Sequence, residues 1–297
     1  MTTLQKTQIL QLDKKIVIGT AQLTMPYGIC NKNNSISKQS IKKIFRLSNK
    51  TGVLFIDTAL NYGHNDNVLK NYINNKYQVI TKIPKFNRNH INSNKKVENL
   101  IRESLSKLNI KKFYAILLHS PNQLLNKNGS RIYQILLNLK KKKLTKNIGI
   151  SVYSKNTTIK IIKKYKFNLI QLPFNIVNQE FNNQDFIKLV KKKKIEIHAR
   201  SIFLQGILTN KKIRNKKFFS KWSRIFKIID QIKKKNEVND LELNINFCIN
   251  KKWINKIIIG IDNFLQFKSI LNTKIKNIIY EPIPMNIKKS LYDPRKW

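Results

Sequence analysis

The stretch that decides the fold is Val53-Leu-Phe-Ile-Asp57-Thr-Ala-Leu-Asn-Tyr62-Gly63, because it contains a predicted strand that ends on an ionisable side chain. Its first residues form an apolar run of strand length, and this run ends on the carboxylate of Asp57. A buried charge costs several kcal/mol of folding free energy unless it is paired, so Asp57 requires a cationic partner. Tyr62 follows in a loop, and its phenol is too weak an acid to work near neutral pH unless its pKa is lowered.

Two later apolar runs also end on an ionisable side chain. Residues 79–82 end on Lys82, and residues 115–119 end on His119. Three consecutive strands are therefore predicted to place Asp57, Lys82 and His119 at their C-terminal ends. In a parallel (β/α)8 barrel these strand ends form the rim on which active sites are built.

The rest of the chain alternates between strand-like runs and amphipathic helices, which favours a parallel sheet. Apolar residues at helical spacing predict a helix over residues 37–50, with Ser37 as its N-cap, and a longer helix over residues 218–232. The other predicted strands are residues 15–21, 147–151, 169–173, 195–201 and 256–260. With the three strands above, they predict an α/β fold, a single (β/α)8 TIM barrel in which residues 1–297 form one domain.

The order and spacing of these groups resemble the aldo-keto reductase superfamily, whose catalytic tetrad is Asp, Tyr, Lys and His. Asp57, Tyr62, Lys82 and His119 match that tetrad one by one. The resemblance covers nearly the whole chain, with segments that match in the family's order at residues 18–22, 117–121, 148–153, 170–175, 199–206 and 258–260. It implies an enzyme of the bacterial NAD(P)H-dependent type. It also implies a short hairpin over residues 1–14 capping the barrel bottom, and a tail, residues 291–297, bordering the substrate pocket.

The chemistry of carbonyl reduction gives each of the four residues a role. The reaction needs a hydride, which only a cofactor can supply, and a proton from a positioned acid. Tyr62 is the expected acid, with the Lys82 ammonium lowering its pKa and Asp57 holding Lys82 charged and in place. His119 is expected to hydrogen-bond the carbonyl oxygen of the substrate.

Each of these residues also has a purely structural interpretation when it is considered alone. Asp57 can cap a helix after its strand, and Tyr62 can be an aromatic side chain packed within its loop. Lys82 and His119 can be ordinary residues at the ends of strands. Their joint placement on three successive strands is what favours an active site.

The resemblance places the nicotinamide cofactor against the later strands. Ser151 and Gln171 supply a hydroxyl and an amide for the carboxamide, and Arg200 occupies the position where the family commonly stacks an aromatic on the ring. The remaining candidate cofactor contacts are Gly19, Thr20, Asp57, Ser201, Gly206, Gly260 and Gln266. The N-terminus of the last predicted helix is expected to be an anion site. The sequence contains no Gly-x-Gly-x-x-Gly fingerprint of a Rossmann site.

The choice between the two nicotinamide dinucleotides follows from the resemblance alone. The family favours NADP(H), and many of its NADP-dependent members carry basic residues at the start of the last helix. This chain has Gly260 and Gln266 in those positions, with Asp262 nearby and Lys268 as the basic residue that replaces them. NADP(H) is therefore the favoured cofactor, and NAD(H) stays open.

The formal net charge of +44, from 59 Lys and Arg against 15 Asp and Glu, suggests either a polyanion partner or a bias in composition. The lysine clusters at residues 140–143, 163–164 and 191–194 each precede a predicted strand, so they are expected to end helices, where cations complement the dipole. No basic stripe carries interleaved aromatics. Composition bias is the favoured explanation, and neither a specific nucleic acid nor a membrane is an expected partner.

Other classes of protein are weighed on the same sequence. The four histidines are dispersed, so no metal site is expected. Two cysteines, no apolar run of membrane length and no signal peptide core favour a cytoplasmic protein. The expected substrate is a small molecule with an aldehyde, ketone or sugar carbonyl, and the expected state is a monomer or weak homo-oligomer. A regulatory barrel that binds cofactor without catalysis is the alternative to an enzyme.

Overall fold

The computed structural model describes residues 12–25, 27–29, 36–87, 94–281, 283–284, 287–293 and 296–297. Eight parallel strands form a closed barrel in chain order, and the first strand pairs with both the second and the last. The strands are β1 (Ile16–Gly19), β2 (Phe55–Asp57), β3 (Gln78–Ile83), β4 (Phe113–Leu118), β5 (Thr145–Ser151), β6 (Leu169–Pro173), β7 (Glu196–Arg200) and β8 (Lys256–Gly260). The predicted (β/α)8 barrel is confirmed.

Helices connect the strands around the outside of the barrel. They are α1 (Ala21–Thr24), α2 (Lys38–Thr51), α3 (Asn65–Leu69), α4 (Asn94–Leu108), α5 (Gly129–Lys141), α6 (Lys155–Lys164), α7 (Gln184–Lys192), α8 (Lys211–Arg214), α9 (Lys217–Ser220), α10 (Ser223–Lys235), α11 (Asp240–Ile249), α12 (Phe264–Leu271) and α13 (Lys289–Tyr292). Two 3-10 helices, Pro121–Leu125 and Leu204–Thr209, follow β4 and β7. No helix in the described ranges is long and apolar enough to cross a membrane.

Helix α2 shows how local sequence sets the element boundaries. The Ser37 hydroxyl accepts a hydrogen bond from the backbone N–H of Ser40, as predicted for an N-cap. The helix ends at Gly52, which adopts a left-handed conformation with φ of 80°. Its buried face contains Ile41, Ile44, Phe45 and Ser48. The predicted helix over residues 37–50 is confirmed within one residue at each end.

The predicted helix over residues 218–232 is wrong, because the chain forms two helices there. Between α9 and α10, the backbone N–H of Trp222 donates to the carbonyl oxygen of Phe219, a tight contact between residues three apart. Phe219 and Trp222 are buried, whereas Phe218 is exposed. The predicted apolar face therefore began at Phe218, which is exposed. The break between the two helices allows Phe219 to pack in the core instead.

The lysine clusters lie at helix ends, as predicted. Lys140 and Lys141 end α5, Lys163 and Lys164 end α6, and Lys191 and Lys192 end α7. In a barrel these ends lie on the face opposite the C-terminal ends of the strands. The clusters are therefore placed away from the face that carries the candidate site.

An aliphatic layer fills the barrel below that face. Because side chains on one side of a strand recur every second residue, Ile80 lies directly beneath Lys82, and Leu169 lies beneath Gln171. The members of this layer are Val17, Ile80, Ala115, Leu117, Leu169 and Ile258. The predicted hairpin over residues 1–14 falls outside the described residues, apart from a helical turn at Leu12 and Asp13.

Candidate active site

A buried ion pair stands at the centre of the rim. The Nζ atom of Lys82, on β3, lies 2.6 Å from Oδ2 of Asp57, the last residue of β2. It also donates to the carbonyl oxygen of Thr58 at 2.9 Å. Burial lowers the pKa of the Lys82 ammonium, and the Asp57 carboxylate opposes that shift by favouring the charged form. The cationic partner that the sequence requires for Asp57 is therefore Lys82.

Neighbouring polar groups fix the orientation of Asp57. The Nε2 atom of Gln171, on β6, donates to Oδ1 of Asp57 from across the barrel. The backbone carbonyl of Asp57 accepts from both the N–H and the hydroxyl of Thr20, each at 3.0 Å. Asn65 holds Thr20 in turn, because its Nδ2 atom donates to the Thr20 carbonyl at 2.8 Å. Lys82 and Gln171 thus hold the carboxylate directly, and Thr20, supported by Asn65, fixes the backbone of Asp57.

Tyr62 and His119 approach the same ammonium from two different loops. The ring centroid of Tyr62 lies 5.3 Å from Lys82 Nζ and 6.5 Å from the ring centroid of His119. The backbone N–H of Tyr62 donates to Ala59 at 3.0 Å, and that of His119 donates to Ile83 at 2.9 Å. These bonds place the phenol and the imidazole side by side above β3.

The electrostatic environment keeps the phenol protonated and the imidazole neutral near pH 7. Burial and the Asp57 charge raise the pKa of Tyr62 above its ordinary value, although Arg200 opposes the rise. Burial, with the charges of Lys82 and Arg200, lowers the pKa of His119 to about 4. The prediction that Lys82 lowers the Tyr62 pKa is wrong for this structure, because the Lys82 charge is paired with Asp57 and burial dominates.

A cleft of about 360 Å³ opens above these groups. Twelve of the residues predicted for the site line it, and they are Gly19, Thr20, Asp57, Tyr62, Lys82, His119, Ser151, Arg200, Ser201, Gly206, Gly260 and Gln266. Gln171 is fully buried and reaches the site through its bond to Asp57. The structure therefore brings all thirteen predicted residues together at one end of the barrel.

Arg200, at the end of β7, is held in place by the two residues that follow β5. Its guanidinium carbon lies 4.1 Å from the ring centroid of Tyr153, and its Nη2 atom donates to the carbonyl oxygen of Val152 at 3.0 Å. Tyr153 lines the cleft, yet the sequence analysis gave it no role. Its position two residues beyond the predicted Ser151 is the only sequence signal that points to it.

The loop after β7 curls back over the cleft. Four residues there have positive φ, namely Ser201 at 58°, Leu204 at 48°, Gln205 at 52° and Gly206 at 90°. The side-chain oxygen of Gln205 accepts a hydrogen bond from the backbone N–H of Ile29 at 3.1 Å. Tyr27 and Gly28, in the loop after β1, line the cleft beside Gln205.

The entrance to α12 is the place of the predicted anion site. The backbone N–H of Phe264 donates to Oγ of Ser40 at 2.9 Å, and that of Gln266 donates to Oδ1 of Asn263 at 2.8 Å. Side-chain acceptors within the chain therefore already occupy these two first-turn donors. The carboxylate of Asp262 lines the cleft at the same place. Two of the first-turn N–H groups at the predicted anion site are therefore already bonded within the chain, and the site itself stays a prediction.

A second, more open cleft adjoins His119 on the side away from α12. Its lining includes Ser151, Tyr153 and the C-terminal residues Tyr292 and Asp293. An ion pair of 3.3 Å between Lys289 and Glu180 anchors α13 beside it. Of the predicted tail, Tyr292 and Asp293 border this second cleft, whereas Trp297 packs against Phe219.

Metal ligands are not grouped in the described part of the chain. No set of three or more His, Cys, Asp and Glu side chains there could hold an ion. Of the four histidines, His119 is at the site, and His198 is buried within β7, where its Nε2 atom lies 2.8 Å from Glu196.

Comparison with known proteins places the chain in one family. Residues 15–275 match the sequence model described as the aldo/keto reductase family. The holo form of the aldo-keto reductase AKR11C1 from Bacillus halodurans superimposes with a TM-score of 0.72 at 13% identity, covering 89% of this chain and 88% of that one. A structure described as a "putative aldo-keto reductase" from Pseudomonas aeruginosa gives a TM-score of 0.65 at 14% identity, covering 88% and 89%. At these identities the two structures show the fold alone.

One curated protein matches a smaller part of the chain. It is named "Putative flagella synthesis protein FlgN", from Buchnera aphidicola subsp. Schizaphis graminum, and it is 33% identical over 115 residues. The match covers 33% of this chain and 81% of that protein. A closed barrel requires strands from nearly the whole chain, so a match to a third of it does not account for this fold.

Proposed function

Because the chain belongs to the aldo/keto reductase family, whose members are oxidoreductases of carbonyl compounds, we propose that it reduces an aldehyde, ketone or sugar carbonyl to an alcohol with NAD(P)H. The observation that carries this proposal is the buried Asp57–Lys82 pair with a protonated phenol and a neutral imidazole beside it. This arrangement can stabilise negative charge as it develops on an oxygen atom.

The residues around the cleft fit a nicotinamide dinucleotide. The Oε1 atom of Gln171 is buried and has no hydrogen-bond partner among the described residues. An N–H of a nicotinamide carboxamide would supply the donor that this oxygen lacks, and the hydroxyl of Ser151 lines the adjoining cleft. When bound, the cofactor supplies the hydride.

The protein groups then control the proton and the charge. Tyr62 donates its phenolic proton to the carbonyl oxygen of the substrate, and the neutral imidazole of His119 orients that oxygen by a hydrogen bond. The Lys82 ammonium stabilises the phenolate that remains, and Asp57 keeps Lys82 charged and aimed at it. A phenol of ordinary pKa is already protonated near pH 7, so the proton is present at the start of the reaction, and the Lys82 ammonium has to favour the phenolate as that proton leaves.

The test compares the wild type with Tyr62→Phe, which removes the proposed acid and almost nothing else. We expect the wild type to oxidise NADH or NADPH with a reactive aromatic aldehyde, followed by the loss of nicotinamide absorbance. Loss of a general acid typically costs about 10²–10⁴-fold in kcat. Nucleotide affinity, followed by quenching of tryptophan fluorescence, is expected to stay within about twofold, a change of roughly 0.4 kcal/mol.

The matched control is Tyr72→Phe, because Tyr72 stacks on Phe45 at 5.3 Å, outside the cleft. It loses the same hydroxyl and is expected to keep wild-type kcat. Full activity of Tyr62→Phe would rule out the proposed acid. Nucleotide binding without turnover of any carbonyl by the wild type would instead favour a regulatory barrel.

A further inference from the structure

We propose that Arg200 makes the cleft selective for the reduced form of the nicotinamide nucleotide, because it places a positive charge beside the ring that becomes positive on oxidation. This inference rests on the proposed function above, and it applies to NAD(H) and NADP(H) alike. The register of the strands, the contacts of the guanidinium and the charges that line the cleft each support it.

The first step is to locate the nicotinamide ring. Ser151 on β5 pairs with Gln171 on β6, and Gln171 pairs in turn with His198 on β7. Arg200 is two residues beyond His198, so its side chain leaves the same side of β7, nearer the open end of the barrel. The buried Oε1 atom of Gln171 has no hydrogen-bond partner among the described residues. A carboxamide bound at Gln171 and Ser151 would bring its ring beside Arg200.

The second step is the way in which the guanidinium is held. It lies over the ring of Tyr153, with its carbon atom 4.1 Å from the ring centroid. Its Nη2 atom donates to the carbonyl oxygen of Val152 at 3.0 Å, and its Nη1 atom donates to the hydroxyl of Ser201 at 3.5 Å. None of these three contacts is an ion pair, so they orient the guanidinium and leave its charge in place. Arg200 still lines the cleft, where a ligand can touch it.

The third step is the charge around Arg200. Among the described residues that line the cleft, the carboxylates belong to Asp57 and Asp262. Asp57 forms its ion pair with Lys82 at 2.6 Å, on β2 and β3. Asp262 follows β8, and its carboxylate accepts hydrogen bonds from two side-chain amides. Within the described part of the chain, neither carboxylate forms an ion pair with Arg200.

The positive charge of Arg200 acts on the reacting groups. Burial is the main influence on the pKa values of Tyr62 and His119, raising the first and lowering the second, and the Arg200 charge pulls both downwards. Arg200 thus disfavours a proton on the His119 imidazole. A positive charge on a ring bound in the same cleft is disfavoured for the same reason.

The reaction changes the charge of that ring by one unit. Hydride transfer to the carbonyl carbon removes one proton and two electrons from a neutral ring and leaves a formal charge of +1, while Tyr62 gives its proton to the carbonyl oxygen. A guanidinium stacks favourably on a neutral ring. Two positive charges in contact repel, most strongly where water is partly excluded. Arg200 therefore favours binding of the reduced nucleotide and release of the oxidised one.

The experiment measures the binding of both redox forms. Dissociation constants of NADH, NAD⁺, NADPH and NADP⁺ are determined by calorimetry for the wild type and for Arg200→Gln. The two forms of one nucleotide share the same phosphates and the same adenosine, so the ratio of their affinities reports on the ring alone. We expect the wild type to bind the reduced form at least about tenfold more tightly, and Arg200→Gln to narrow that ratio to about threefold or less. Most of the change is expected as tighter binding of the oxidised form, which a misfolded variant cannot produce.

Three further variants keep the test decisive. Arg200→Met is a second neutral variant, so the result does not depend on the folding of a single protein. Arg200→Lys keeps the positive charge without the planar group, and it is expected to keep most of the wild-type ratio. Arg46→Gln removes an exposed cation from α2, outside the cleft, and is expected to keep the full ratio. It is the matched control for the formal net charge of +44, which also favours the more negative, reduced nucleotide.

Each outcome has a distinct meaning. Equal affinities of the wild type for the two forms, or tighter binding of the oxidised form, would overturn the inference and leave the proposed function standing. A wild-type preference that survives both neutral variants, or that falls equally in Arg46→Gln, would overturn the role of Arg200. If the wild type binds none of the four nucleotides, the proposed function fails and the inference fails with it.

Discussion

Asp57 and Lys82 are the residues on which both the fold and the site depend. Removing one partner of a buried ion pair leaves an uncompensated charge, which typically costs about 3–5 kcal/mol of stability. We therefore expect Lys82→Met to lower the free energy of unfolding by about that amount. Urea denaturation followed by circular dichroism measures the change.

The double variant Asp57→Asn with Lys82→Met separates two destabilising effects. One is the loss of the ion pair, and the other is the burial of an unpaired Asp57 carboxylate. It is expected to be more stable than Lys82→Met alone, because no unpaired carboxylate remains. Lys85→Met, at an exposed position three residues further on, is the matched control and is expected to change stability little. A double variant no more stable than Lys82→Met would contradict this account of the pair.

His119 links stability to pH in a direction that its environment fixes. Its pKa falls from 6.5 to about 4 on folding, so between these values the unfolded chain binds more protons than the folded one. The contribution of the buried, neutral His119 imidazole to folding stability is fully present above about pH 6.5 and is lost as the pH falls towards about 4. We expect the stability advantage of the wild type over His119→Gln to shrink across that window, as measured by urea unfolding at a series of pH values. An advantage independent of pH would show that the imidazole is not buried as the structure describes.

For individual residues, the sequence predicts which side chains lie close together, but it does not predict their pKa values. Strand-end positions depend on local pattern and barrel topology, so Asp57, Lys82 and His119 could be placed together in advance. The pKa of Tyr62 depends on its burial and on how far the Lys82 charge is offset by Asp57. Both are properties of the folded chain. For the same reason, the contact between Tyr153 and Arg200 emerges only in three dimensions.

Strand β5 has no room for a larger side chain at Gly149. A Cβ atom at Gly149 would lie 2.2 Å from the carbonyl oxygen of Leu169 and 2.6 Å from a methyl group of Leu117. Both contacts come from the neighbouring strands β4 and β6, so neither can move without disturbing the sheet. Overpacking of this kind typically costs about 1–3 kcal/mol and occasionally more.

We therefore expect Gly149→Ala to lower the thermal midpoint of unfolding, and to weaken nucleotide binding because Ser151 lies two residues further along the same strand. Gly19→Ala is a graded comparison, since its Cβ atom would meet its nearest neighbour at 3.2 Å. A milder loss is expected there. Equal effects at the two positions would argue against packing between β4, β5 and β6 as the cause.

The hydrophobic pattern of the sequence predicts the bounds of some strands and helices and not of others. The bounds of β6 and β8 match the predicted ranges to the residue, because each is a short apolar run between polar segments. The break between α9 and α10 could not be predicted, since Phe218, Phe219 and Trp222 all fit a continuous helical stripe. Which of two adjacent phenylalanines is buried depends on the surface against which the helix packs.

The whole molecule carries a charge that its acidic residues cannot balance, 59 Lys and Arg against 15 Asp and Glu. Repulsion among surface cations destabilises the compact state, and salt screens it. Raising NaCl from about 10 mM to about 150 mM shortens the Debye length from about 30 Å to about 8 Å. We expect the thermal midpoint to rise by about 2–4 °C, which corresponds to ~1 kcal/mol. Scanning calorimetry measures it, and an unchanged midpoint would contradict the repulsion.

The same charge makes weak contact with any polyanion unavoidable at low ionic strength. If composition bias is its origin, binding of a labelled DNA duplex is expected to vanish at about 150 mM salt, because counterion release is the only driving force. Affinity at that salt that differs between duplexes of different sequence, measured by fluorescence anisotropy, would instead indicate a specific nucleic-acid partner.

The hydrogen bond between Ile29 and Gln205 has a consequence for the timing of the reaction cycle. It ties the loop after β1 to the loop after β7, on opposite sides of the strand β8 along which the cleft runs. A dinucleotide bound beneath this hydrogen bond would leave only after the hydrogen bond breaks, whereas a small carbonyl compound could exchange beside His119. We expect the oxidised nucleotide to depart last, so that its residence time sets the turnover rate.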